Sequence, residues 1–197
     1  YTDIPYKFSN KEFKLDNDKI KILFIGDSKI RDLVNVFILI ENELDLNFDL
    51  SYIASYDPKN NLHKKIAINA ELVFTQMAHE RLSDMPVNKI ILVEKRDDFI
   101  HNINPVFFKK EINERINFRV KNSEIKKDLF NKNKDGQLIL NDMHPFLDEK
   151  GSRRITDNKG NLISFDGIHL SESGVRMLGD SLKENVIFLE KIRSLRK

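Results

Sequence analysis

The chain has 197 residues, 40% apolar and 32% charged, enough for one ordinary core and typical of a folded globular chain rather than a disordered one. Its 33 basic and 31 acidic side chains nearly cancel, so no strong pull toward nucleic acid or an acidic membrane surface is implied. The absence of cysteine excludes disulfides and thiolate catalysis, and no run of about 18 apolar residues is present to span a bilayer as a helix. The chain starts at Tyr1 with neither an initiating Met nor a signal peptide. One domain over 1–197, cut from a longer protein, is therefore expected.

In chain order, Ile20 to Ile25 is an apolar run of strand length, followed by Gly26-Asp27-Ser28. Arg31 to Leu44 then carries so many apolar positions that it suits a helix buried over much of its circumference. Phe48 to Ala54 reads as a second strand, Asn60 to Asn69 as a weak helix, Ala70 to Gln76 as a third strand, with a helix over Glu71 to Leu82 as the equal alternative, and Lys89 to Glu94 as a fourth strand. A long helical stretch is expected from Pro105 to about Asn131, and Lys126 to Gly136, the most polar segment, as a surface loop. Gln137 to Asn141 gives a fifth short strand. Arg154-Ile155-Thr156 and Leu162-Ile163-Ser164 flank the turn sequence Asp157-Asn158-Lys159-Gly160 and predict a small hairpin. Glu172 to Arg193 closes the chain as an amphipathic helix.

Strands alternating with helices argue for an α/β fold with a mostly parallel, five-stranded sheet covered on both faces. Such sheets place their sites beyond the carboxyl ends of the strands, where Gly26-Asp27-Ser28 falls. A serine there also meets the N-terminus of the next helix, whose N–H groups favour the negative charge that develops when a hydroxyl attacks a carbonyl. The competing reading is that Asp27 or Ser28 simply caps the helix. The second half of the pattern is Phe165-Asp166-Gly167-Ile168-His169. A glycine between the two polar residues lets the chain bend so that the carboxylate meets its own histidine, fixing the tautomer and leaving the other ring nitrogen for a serine. Ser28, His169 and Asp166 thus have the parts of an acyl-transfer triad.

Ile25-Gly26-Asp27-Ser28 and Asp166-Gly167-Ile168-His169-Leu170-Ser171-Glu172-Ser173-Gly174 together resemble the SGNH, or GDSL-type, hydrolase superfamily. The resemblance implies a flavodoxin-like three-layer α/β/α sandwich and a serine mechanism on esters. Ser28 would be nucleophile, His169 general base and Asp166 its orienting partner. The string Gly179-Asp180-Ser181-Leu182 matches the family's popular name more literally. It lies within an amphipathic helix with no strand before it, so Ser181 is expected to be an ordinary helix residue.

The middle blocks depart from the family pattern. Where a glycine and an asparagine usually donate to the oxyanion, this chain has Ser55-Tyr56-Asp57-Pro58 and Met77-Ala78-His79-Glu80-Arg81. The oxyanion candidates are the Ser28 backbone N–H, a backbone group near Ser55 and the side chain of Gln76. Arg31, close to Ser28, is a substrate-binding candidate, whereas Asp32 is expected on the helix surface. The degenerate middle blocks, the hairpin and the segment Val87 to Pro105 resemble the SGNH domains fused behind acyltransferase-3 membrane domains. Those bacterial proteins O-acetylate surface polysaccharides such as lipopolysaccharide O-antigen. That resemblance implies a carbohydrate or acylated-sugar substrate, a fused membrane domain as partner and a periplasmic or extracytoplasmic location.

His63, His79, His101 and His144 have no metal-ligand spacing, and neither G-x-G-x-x-G nor a P-loop is present, so no cofactor is expected. Two other functions stay open at this stage: a general esterase or lipase for small or lipid esters, and a catalytically weak carbohydrate-binding module on the same fold.

Overall fold

A computed structural model describes residues 4–77, 82, 85–94, 111–120 and 128–196. Its central sheet runs β2-β1-β3-β4-β7-β6. The strands are β1 (Ile20–Ile25), β2 (Phe48–Ile53), β3 (Leu72–Thr75), β4 (Ile90–Val93), β6 (Phe130–Lys132) and β7 (Leu138–Leu140). All pairings are parallel except that of β6 with β7. The order β2-β1-β3-β4-β7 is the flavodoxin-like one, whose switch point lies between β1 and β3. A separate two-stranded sheet pairs β5 (Arg119–Val120) with β8 (Arg153–Arg154).

Alternation along β1 feeds two cores. Ile22 and Phe24 face α1 (Ser28–Glu43), α4 (Glu172–Glu184) and α5 (Val186–Arg193), while Leu23 and Ile25 face the side covered by α2 (Asn61–Asn69). Phe37 of α1 is the hub of the first core, with ring centroids 5.1 Å from Phe24, 5.0 Å from Phe74 and 5.8 Å from Phe188. These edge-to-face contacts, with every ring almost wholly enclosed, lock α1 over the β1–β3 boundary. Gly179 of α4 faces α1, and a Cβ there would sit 3.3 Å from both Ile40 and Leu39. The Gly179-Asp180-Ser181 string is therefore helix packing, with Asp180 paired to Lys183 at 2.7 Å.

Several sequence expectations are corrected. The sheet has six strands rather than five. The additional one, β6, lies inside the polar stretch read as a loop, and its hairpin with β7 is closed by Asn133, whose Oδ1 accepts the N–H groups of Asp135 (3.0 Å) and Gln137 (2.9 Å). The long helix expected over 105–131 is, in its described part, a six-residue helix α3 (Ile112–Asn117) that ends at extended Phe118 and gives way to β5; 105–110 and 121–127 lie outside the described residues. The closing helix is two helices, broken at Asn185, whose side chain caps α5 by accepting the N–H of Phe188 at 3.0 Å. The hairpin before Asp166 is closed by one Thr156–Leu162 bridge, and Arg153–Arg154 pair with β5 instead.

Candidate active site

β1 ends at Ile25, and Gly26 turns the chain with φ +150°, a value L side chains rarely adopt. A Cβ on Gly26 would also stand 2.6 Å from Ile30 Cγ1, so both conformation and space require glycine. The Gly26 N–H donates to Ile53 O at 3.1 Å, and the buried Tyr52 hydroxyl lies 3.0 Å from Gly26 O and 3.3 Å from Asp27 O. Burial, first of all, raises the Tyr52 pKa, keeping the phenol a donor beneath the turn. The N-cap is Asp27, whose carboxylate accepts the Lys29 N–H at 2.9 Å. The capping duty thus falls to Asp27, and Ser28, half-buried at the first position of α1, is left without it.

The far end of the chain forms a loop organised by one carboxylate. Asp166 Oδ1 accepts the N–H groups of Ile168 and His169, each at 2.8 Å, and the hydroxyl of buried Ser164 at 3.2 Å. Its Oδ2 meets His169 Nδ1 at 2.5 Å. Gly167, at φ +80°, makes the bend that this closure needs. Partial burial works to raise the Asp166 pKa, but the hydrogen bonds from the His169 ring and from the two backbone N–H groups prevail and hold it well below the usual carboxylate range. With the proton on Nδ1, His169 Nε2 is the basic nitrogen. It is enclosed and has no hydrogen-bond partner.

Three anchors hold this loop, one to the helix of Ser28 and two to the hairpin. Asp32, one turn after Ser28 and only 4% exposed, accepts the Leu170 N–H at 3.0 Å. The Ser171 N–H donates to Ile163 O at 2.8 Å, and the Ser171 hydroxyl donates to Leu162 O. Gly174 lets α4 approach the hairpin, since a Cβ there would stand 2.5 Å from Ile163 O. Asp32 is thus a buried tether rather than the helix-surface residue expected. Ser28 and His169 come from opposite ends of the chain to adjoining elements, without a hydrogen bond between them.

Among the oxyanion candidates, Gln76 follows β3 directly, and because Thr75 is in register with Ile25 it flanks Gly26. Gln76 Oε1 lies 3.8 Å from where a Gly26 Cβ would be, and its Nε2 is enclosed without a partner. Ser55 is exposed, just past β2. Arg31 is engaged by Tyr6, whose hydroxyl accepts from its guanidinium and whose ring centroid lies 4.9 Å away. His63 braces the loop after β2, with Nδ1 accepting the Asp57 N–H at 3.0 Å and the ring stacked on Tyr56. His144 lies in the turn after β7. His79, Glu80 and His101 fall outside the described residues. Asp32, Tyr52 and Ser164 were not singled out as site residues from the sequence; Asp32 lies at helical spacing from Ser28, but nothing local marks it as buried.

No family model and no curated protein sequence matches the chain. Among solved structures, it is similar to the periplasmic domain of a lipopolysaccharide acetyltransferase from Salmonella ser. Paratyphi A, with a TM-score of 0.53 and 17% identity over 91% of each chain. The two share a fold across nearly their whole lengths. At the level of fold, the resemblance carried by the two end blocks is borne out.

Proposed function

We propose that this chain is a serine-dependent acyl-transfer domain acting on O-acetyl esters of carbohydrate, working outside the cytoplasmic membrane as part of a longer bacterial protein. The observation that carries the reading is the 2.5 Å contact between Asp166 Oδ2 and His169 Nδ1, with Nε2 left unpartnered, on a loop tethered to the helix that starts at Ser28. The fold shared with a lipopolysaccharide acetyltransferase periplasmic domain supports the carbohydrate half of it.

In this mechanism Ser28 Oγ attacks the acetyl carbonyl carbon while His169 Nε2 takes the hydroxyl proton. Asp166 stabilises the imidazolium so formed. The carbonyl oxygen, now an oxyanion, receives the Ser28 backbone N–H and Gln76 Nε2. Collapse expels the sugar oxygen, which takes the proton back from His169 and leaves acetyl-Ser28. A second hydroxyl, from water or from another sugar, then attacks with His169 again acting as base, and collapse expels Ser28 Oγ, which takes the proton from His169. Hydrolysis and transfer differ only in that acceptor. The Ser28–His169 hydrogen bond is expected to form with substrate in place, as such contacts tighten in the complex. A serine-directed organophosphonate tests the proposal: it should label Ser28 in the folded chain, and labelling at any other serine, or none, overturns it.

A further inference from the structure

We infer that the cleft beside the Asp166–His169 loop is a sugar subsite that holds a neutral ring of the glycan, with Phe165 as its platform. The inference takes its place in catalysis from the proposed acyl transfer, but its test reads binding alone.

The cleft has a volume of about 430 Å³, and Asp157, Lys159, Asn161, Phe165, Glu172 and Arg176 line it. Phe165 is 76% exposed, the most open large apolar side chain among the described residues. A lone surface apolar residue needs no explanation. This one stands in a polar cleft, immediately before Asp166 and within four residues of His169, at most ~14 Å of chain from the base. The electron-rich face of an aromatic ring suits the C–H face of a pyranose, and polar groups around it suit the hydroxyls at the ring's rim.

The polar wall is fixed in advance of any ligand. Asp157 accepts the N–H groups of Lys159 and Asn161, each at 2.8 Å, the Asn161 side-chain amide at 2.8 Å and the Ser173 hydroxyl at 2.9 Å. This ties the hairpin turn to the start of α4. Across the cleft, Arg176 pairs with Glu172 at 2.9 Å. Two acids and two bases line the cleft, so it carries no net charge to draw in an ionic ligand, and Leu162 and Phe165 are too little apolar lining for a long acyl chain. A neutral polyhydroxylated ring matches this lining, with its C–H face on Phe165 and its hydroxyls on the polar wall.

The experiment uses the whole chain carrying Ser28→Ala, so that nothing is turned over, on an array of neutral and acidic bacterial-type oligosaccharides, followed by NMR titration with the best binder. Neutral glycans should bind, with amide shifts concentrated in 157–176. Phe165→Ala should weaken binding at least tenfold, and Phe165→Trp should retain it. Overturning results are no neutral glycan bound at millimolar concentration, binding of acidic glycans only, or equal affinity in Phe165→Ala. If Ser28→Ala kept full turnover on 4-nitrophenyl acetate, the catalytic reading would fail while glycan binding at Phe165 could still stand.

Discussion

The Asp32 carboxylate accepts the Leu170 N–H at 3.0 Å across a sequence separation of 138, inside the protein. Asp32 shares a helix face with Ser28, and Leu170 follows His169, so this one bond fixes the distance between the two ends of the candidate triad. Asp32→Ala leaves a buried N–H unsatisfied, a cost of about 1–3 kcal/mol, and should lower Tm by roughly 2–10 °C. Turnover of an activated acetyl ester should fall further than folding accounts for, because His169 loses its register. Asp32→Asn keeps a carbonyl acceptor and should lie between. Equal kcat in Asp32→Ala and parent, both folded, would show that the tether does not position the base.

Ser28→Ala removes the hydroxyl that would carry the acyl group, and acetyl-ester turnover should drop by orders of magnitude. His169→Ala should cost about as much, and the double variant little more, since triad members act as a unit. Ser181→Ala, in α4 beside the Gly179 packing contact, should leave turnover unchanged. Steady-state assays on the purified, folded variants decide this. Retained activity in Ser28→Ala would leave a binding module on this fold as the better account.

The Asp166 contacts give a pH signature with a definite sign. Its folded pKa is depressed below the ordinary value of 3.8. The stability it contributes is therefore complete above that value and is lost as pH falls toward the folded one. The difference in urea stability between parent and Asp166→Asn should shrink as pH falls below about 4. A difference that keeps its full size or grows below about pH 4 would mean the carboxylate is not held ionised by these bonds. At neutral pH the same variant should lose roughly 10⁴-fold in kcat, because an amide can favour the wrong imidazole tautomer.

What the sequence made legible was local or strictly periodic. The β1 run into Gly26-Asp27-Ser28 announced a strand, a turn and a helix start, and Asp166-Gly167-Ile168-His169 announced a carboxylate bending onto its own imidazole. Helix–strand alternation was enough for the parallel sheet. The Asp32–Leu170 bond was illegible because a polar residue in the first turn of a helix looks solvated until a distant loop is laid over it. Strand β6 was hidden because Phe130-Asn131-Lys132 is an edge strand with one buried side chain, too short to show a period of two. The break at Asn185 was masked because α4 and α5 bury Leu182 and Phe188 in the same core, so the apolar pattern runs on through the cap.

Gln76 is where rate can be traced to a single hydrogen bond. Its Nε2 is enclosed, unpartnered and beside the Gly26 turn, a costly state for an amide unless something accepts from it. An oxyanion on a carbonyl attacked by Ser28 would be that acceptor. Gln76→Ala should then cost about 10²–10³ in kcat, with KM little changed, because the bond is made in the transition state rather than with the ground-state ester. Gln76→Glu, nearly isosteric, should be at least as poor, since a carboxylate only accepts and its charge opposes the oxyanion. Gln76→Asn withdraws the donor by one methylene and should fall between. A kcat for Gln76→Ala within threefold of the parent would assign oxyanion stabilisation to backbone N–H groups alone. A rise in KM at constant kcat would place Gln76 in ground-state binding instead.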